Sequence, residues 1–85
     1  MALYKIFFKA SVEKELRSIP KKDLQKIILK IGSLVENPRP VGCEKLTGQE
    51  RYLLRQGRYR IVYSIQGKIL TVWIVKVSQR KDIYR

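Results

Sequence analysis

The side chains best equipped for chemistry crowd into residues 51–85. Nine are basic (Arg51, Arg55, Arg58, Arg60, Lys68, Lys76, Arg80, Lys81 and Arg85) and one is acidic, Asp82. Nine less one leaves +8 of the chain's +12 in this segment. Tyr52, Tyr59, Tyr63 and Tyr84 lie among the arginines. Guanidinium groups grip phosphate oxygens, and aromatic rings stack on bases, so the combination suits an RNA strand. Histidine is absent. That removes Ser-His-Asp and Cys-His nucleophile sites and paired-histidine acid–base chemistry. One cysteine and seven scattered carboxylates form no ligand cluster, so no metal is expected. The five glycines are isolated, so no phosphate loop exists and no cofactor is expected.

Eighty-five residues make one domain, 1–85, with a modest core. An apolar fraction of 45 % is ordinary for a globular chain. A net charge of +12 and a pI near 10.2 imply a polyanionic partner: nucleic acid, an anionic membrane or an acidic protein. Cys43 has no second cysteine to pair with. The start, Met1 to Lys5, has no long apolar core, and the run Ile69–Val75 is too short to span a bilayer. A cytoplasmic protein without membrane attachment is expected.

Elements must position the arginines. Leu3–Lys9 reads as a strand with Tyr4, Ile6 and Phe8 on one face. Ser11 is the expected N-cap of a first helix carrying Val12, Leu16 and Ile19. Pro20 ends it and opens a second, Lys21–Glu36, with a stripe through Leu24, Ile27, Ile31 and Leu34. Lys22, Lys26 and Lys30 lie off the stripe as a solvated face. Asn37-Pro38-Arg39-Pro40 stops this helix, and a short joint predicts an antiparallel helix hairpin. Residues 41–49 read as loop. Strands follow at Arg51–Arg55, Tyr59–Ile65 and Ile69–Val77, joined by turns at Gln56-Gly57 and Gln66-Gly67.

The expected fold is α+β: an N-terminal strand, the helix hairpin, then a three-stranded antiparallel meander, all strands in one sheet with helices on one face. Alternation puts Tyr52 and Leu54 on one face with Tyr59, Ile61 and Tyr63, suited to the helices. It puts Leu53 and Arg55 on the other with Arg60, Val62 and Ser64, carrying Arg55 and Arg60 into the open. Tyr59, Tyr63 and Trp73 are expected in the core. The same arginines could simply keep a strand surface soluble, and Tyr84 could be a frayed terminus. Composition alone favours a nucleic-acid-binding face and names no enzyme.

Lys45-Leu46-Thr47-Gly48, Tyr52-Leu53-Leu54-Arg55, Gly57-Arg58-Tyr59-Arg60-Ile61-Val62-Tyr63 and Val77-Ser78-Gln79-Arg80-Lys81-Asp82-Ile83-Tyr84 follow one another in this order. With Asn37-Pro38 after the helices, this series resembles the RelE/ParE toxin superfamily over nearly the whole chain. The resemblance implies a type II toxin with an antiparallel sheet backed by two helices. RelE-like members cut mRNA in the A site of the 30S subunit without metal, the ribose 2′-hydroxyl attacking the adjacent phosphate. It implies catalytic roles for Arg60, Arg80, Tyr84 and Arg55, the last standing where many members carry lysine. Arg60 and Arg55 would hold the phosphate, Arg80 would neutralise the leaving oxygen, and Tyr84 would orient the nucleotide or act as base. Lys45, Arg51, Arg58 and Lys81 would bind RNA.

Leu53 and Gln79 stand where members of the family carry candidate bases, which leaves the base unassigned. ParE-like members share the fold, poison DNA gyrase and lack the Arg–Tyr ending. Three activities therefore stand side by side: a ribosome-dependent endoribonuclease, a gyrase-directed binding toxin, and a basic RNA-binding domain. The resemblance also implies a cognate acidic, RelB-like antitoxin that folds on binding, with the toxin alone a monomer and the pair a hetero-oligomer.

Overall fold

The computed structural model describes residues 3–46, 48 and 50–79. The elements run β1 (Lys5–Phe8), α1 (Ala10–Arg17), α2 (Lys21–Gly32), β2 (Glu44–Lys45), β3 (Arg51–Gln56), β4 (Tyr59–Gln66) and β5 (Thr71–Gln79). They form an α+β fold with one five-stranded sheet, order β1-β5-β4-β3-β2.

The expected meander is present as β3, β4 and β5, all antiparallel. Two features of the sheet differ from the sequence reading. First, β1 pairs with β5 in parallel, from Lys5 opposite Thr71 to Phe8 opposite Ile74, so the sheet is mixed. A parallel neighbour needs a long crossover connection, and nothing local in residues 3–9 encodes a partner more than sixty positions away. Second, the expected loop contains β2, which sets Glu44 opposite Leu53 and Lys45 opposite Tyr52. Two residues show no periodicity. Their strand exists because the backbone edge of β3 offers unpaired groups that must be satisfied.

The helix boundaries also shift. Ser11 is not the N-cap; Lys9 is, in extended conformation and without a side-chain cap bond. The Lys9 amide still donates to the Ile74 carbonyl at 3.1 Å, as the last rung beside β5. The chain therefore leaves the sheet directly into the helix, and Val12 N–H closes the first turn on the Lys9 carbonyl. The second helix ends at Gly32 and tightens into a 3-10 turn at Ser33–Val35. The Ser33 hydroxyl donates to the Lys30 carbonyl at 2.6 Å, the local competition that makes serine a poor helix interior residue.

Both turns of the meander differ from expectation. Gln56 and Tyr59 face each other, so the turn residues are Gly57 and Arg58, with Gly57 at φ 59°. A glycine in the first position of a two-residue hairpin allows the backbone to follow the sheet's twist. The second connection is a 3-10 turn, Gly67–Ile69, ending on Leu70 at φ 47°, so Ile69 and Leu70 precede the strand.

The helices cover one face of the sheet. Val12, Ile27, Ile31 and Leu34 are buried there with Leu54, Ile61, Tyr63 and Ile74. A bulge makes this face continuous. Val62 pairs with Lys76 but Tyr63 with Ile74, so Val75 is extra and Val77 turns inward where strict alternation would send it out. Beyond Phe8, no strand among the described residues neighbours β5 on its β1 side. Glu15 of α1 fills that edge: Val77 N–H donates to its Oε1 at 3.0 Å, and Lys76 Nζ lies 3.5 Å from its Oε2.

Candidate nucleic-acid interface

Residues directly opposite each other across strands share a face. The register therefore draws the far face of the sheet, away from the helices, as transverse rows. One row is Arg55, Arg60 and Ser78. The next is Glu44, Leu53, Val62 and Lys76. A third is Arg51, Ser64, Trp73 and Phe7.

Arg55 is exposed and pairs with Glu44 at 3.3 Å, with both side chains about half in water. Such a pair contributes about 0–1 kcal/mol, so it holds Arg55 only loosely. Arg60 does not point into open solvent as the sequence reading expects; it is 5 % exposed. It occupies the middle strand, walled by Arg55 on one side and Ser78 on the other, and Leu53 and Val62 in the adjoining row are buried too. Arg60 is engaged by neighbouring groups. A guanidinium shielded from water acts on a nearby phosphate more strongly than a solvated one. Beside it, the Ser78 hydroxyl oxygen is buried and has no hydrogen-bond partner among the described residues.

The other candidate residues separate. Arg51 is exposed on this face, at the start of β3. Arg58 is exposed at the hairpin tip. Lys45 is exposed but belongs to the helix-side row with Tyr52 and Tyr63, because alternation in β2 sends it opposite to Glu44. Arg80, Lys81 and Tyr84 lie outside the described residues.

The tyrosines divide cleanly. Tyr59 and Tyr63 are in the core, as expected. Burial pushes the Tyr63 hydroxyl far above the ordinary tyrosine value, so it keeps its proton. It donates to the Pro38 carbonyl at 2.7 Å. Tyr52 stacks on Tyr63 and accepts a hydrogen bond from Arg39 Nε at 3.1 Å. Together they tie the Asn37–Pro40 loop to the sheet. Trp73 does not follow the other two. It stands on the far face, partly buried, with its ring stacked on Phe7. Glu44, Arg39 and the Phe7–Trp73 pair are the features that sequence reasoning missed. Only the tryptophan's odd place in β5 alternation, opposite Val72 and Ile74, signalled its face.

Comparison with known proteins agrees with this architecture. The family model described as ParE toxin of type II toxin-antitoxin system, parDE, matches residues 6–84. The chain belongs to the RelE/ParE toxin superfamily and is a toxin of a type II toxin–antitoxin system. Among individual proteins it is similar to Toxin RelG of Mycobacterium tuberculosis (strain ATCC 25618 / H37Rv). The two are 31% identical over 86 residues, 96% of this chain and 97% of the relative. The archaeal RelE–RelB complex from Pyrococcus horikoshii OT3 contains a chain superposing with TM-score 0.83 at 29% identity, covering 94% of this chain and 97% of the other. The toxin–antitoxin complex RelBE2 from Mycobacterium tuberculosis gives TM-score 0.80 at 25% identity, covering 92% and 99%. Among the described residues, no helix is long and apolar enough to cross a membrane.

Proposed function

We propose that this toxin is a ribosome-dependent endoribonuclease that cuts mRNA in the 30S A site. A ribose 2′-hydroxyl attacks the adjacent phosphate, the 5′-oxygen leaves, and translation stops. The observation that carries the reading is the Arg55–Arg60 cross-strand pair: one arginine at the surface, its neighbour shielded, on a single face. Two guanidiniums side by side repel each other and favour a shared anion between them, as phosphate transfer requires. Arg80 neutralises the leaving oxygen and Tyr84 orients the nucleotide in this scheme. Residues 1–85 act as one domain in the cytoplasm, without a cofactor. An acidic, RelB-like antitoxin holds the toxin, in keeping with relatives crystallised together with RelB proteins.

A second reading is supported by the name of the matching family model, ParE. It makes the chain a non-enzymatic inhibitor of DNA gyrase. Primer extension on an mRNA in a translation reaction separates the two. Cuts within A-site codons that vanish without ribosomes support the nuclease. Inhibited supercoiling with intact mRNA supports the gyrase reading, and neither effect would leave a basic RNA-binding domain.

A further inference from the structure

Phe7 and Trp73 are stacked with ring centroids 5.1 Å apart and planes 28° from parallel. Phe7 is 43% exposed, and Trp73 is only partly buried and stands outside the core cluster. An aromatic pair left on a sheet surface is unusual without something to bind. Its surroundings are cationic. Lys5 is exposed two residues before Phe7 on the same face of β1. Arg51 ends the same transverse row, separated from Trp73 by Ser64. Ser64, the smallest side chain of the row, stands between the indole and the guanidinium.

The row's position matters as much as its chemistry. From Arg60 to Ser64 is four residues along β4, or roughly 13 Å at about 3.3 Å per residue. An extended single strand covers that distance in a couple of nucleotides. A phosphate held at Arg55 and Arg60 therefore leaves a neighbouring base above the aromatic pair.

We infer that Phe7 and Trp73 form a nucleobase platform: one base of single-stranded RNA stacks on them at a fixed offset from the phosphate held by Arg55 and Arg60. The inference rests on the RNA reading above and adds a subsite that selects the nucleotide near the cut. Stacking accepts any base but rewards large ones, so purines are favoured there. A protein segment would also cover aromatic rings. Arg51 at one end of the row, and Lys5 beside its other end in the neighbouring row, fit a phosphate backbone better.

Trp73 is the only tryptophan, so its fluorescence reports this site alone. The probe is a short 2′-O-methyl RNA oligonucleotide, which the proposed 2′-hydroxyl chemistry cannot cut, carrying a dye for anisotropy. Binding by anisotropy with parallel quenching of Trp73 is expected. Phe7→Leu and Trp73→Leu each weaken binding roughly tenfold while circular dichroism stays native. A single abasic nucleotide moved along the oligonucleotide removes the quenching at one position only. Trp73→Phe, which keeps a ring, retains most of the affinity. Should Trp73→Leu fail to fold, Phe7→Leu at its exposed position still decides. If anisotropy shows binding but Trp73 is not quenched and Phe7→Leu binds normally, the platform is refuted and the RNA reading survives. If the oligonucleotide does not bind at all, the platform is refuted, and the ribosome-dependent reading is decided separately by the primer-extension test. If Trp73 responds only to the antitoxin, the face belongs to a protein partner and the platform is refuted.

Discussion

Arg60 places its guanidinium where water scarcely reaches, directly beside a second arginine. The value of such a group lies in its geometry, since a fork of donors fixed before the reaction needs no rearrangement during it. Arg60→Lys keeps the charge and most of the stem but loses the fork. It should melt close to the wild type and cut mRNA about 10²–10³-fold more slowly. Wild-type rates in Arg60→Lys would show that the fork is not used. Arg60→Ala is a poorer test than its strand position suggests, because truncating a buried side chain disturbs packing as well as charge. Tyr63 is the opposite kind of residue, a buried hydroxyl held neutral. Its folded-state titration lies above that of an unfolded tyrosine, about 10. The stability linked to it is complete below that value and is lost as the pH rises above it. Tyr63→Phe should lower stability by about 1 kcal/mol at neutral pH through the lost bond to Pro38, and flatten the decline above pH ~10. Urea midpoints measured from pH 7 to 11 test both parts.

At the scale of elements, the weak point is the edge of β5 that no strand among the described residues covers. β1 runs out at Phe8, while β5 continues to Gln79, one residue before the segment with Arg80. Glu15 substitutes for the missing strand by accepting the Val77 amide, and its neighbours line a cleft of about 390 Å³ with Ile19 and Tyr59. Glu15→Ala strands that amide and should cost about 1–3 kcal/mol. Glu15→Gln keeps an acceptor oxygen and should recover most of it, since the accompanying ion pair with Lys76 is half exposed and weak. Hydrogen exchange at Val77 is the sharper measurement: fast in the alanine variant, slow in the glutamine one. Equal exchange in both would mean that the edge is held by something else.

For the molecule as a whole, the charge is the dominant fact. Eighty-five residues carrying +12 repel themselves, and an anionic partner relieves the strain. Binding to single-stranded RNA should weaken steeply with salt, the logarithmic slope changing by about 0.7 for each phosphate contact. Replacing Arg51 and Arg55 together by glutamine should make the slope shallower by about 1.4 on the same count. A slope that is flat, or unchanged in the double variant, would remove this face as the phosphate site.

Much of this architecture was legible in residue order. The stripe through Ile27, Ile31 and Leu34 marks a buried helix face, and the alternation from Tyr59 to Ile65 marks a sheet with two unlike sides. Both are local periodicities that burial enforces. That Arg55 and Arg60 share a face was legible from the same alternation, but their alignment was not: a turn at Gln56-Gly57 would set Arg55 opposite Arg58, and only the turn at Gly57-Arg58 sets it opposite Arg60. What stayed hidden depends on residues far apart in the chain. The parallel docking of β1, the recruitment of Glu44 and Lys45 as a strand, and Glu15 capping Val77 all answer unpaired backbone groups that exist only once the sheet has formed. The depth of Arg60 was hidden too, because alternation tells which face a side chain takes and not how closely its neighbours stand around it. The Phe7–Trp73 pair shows both limits: composition records two aromatics, and only the parallel register of β1 with β5 brings one ring onto the other.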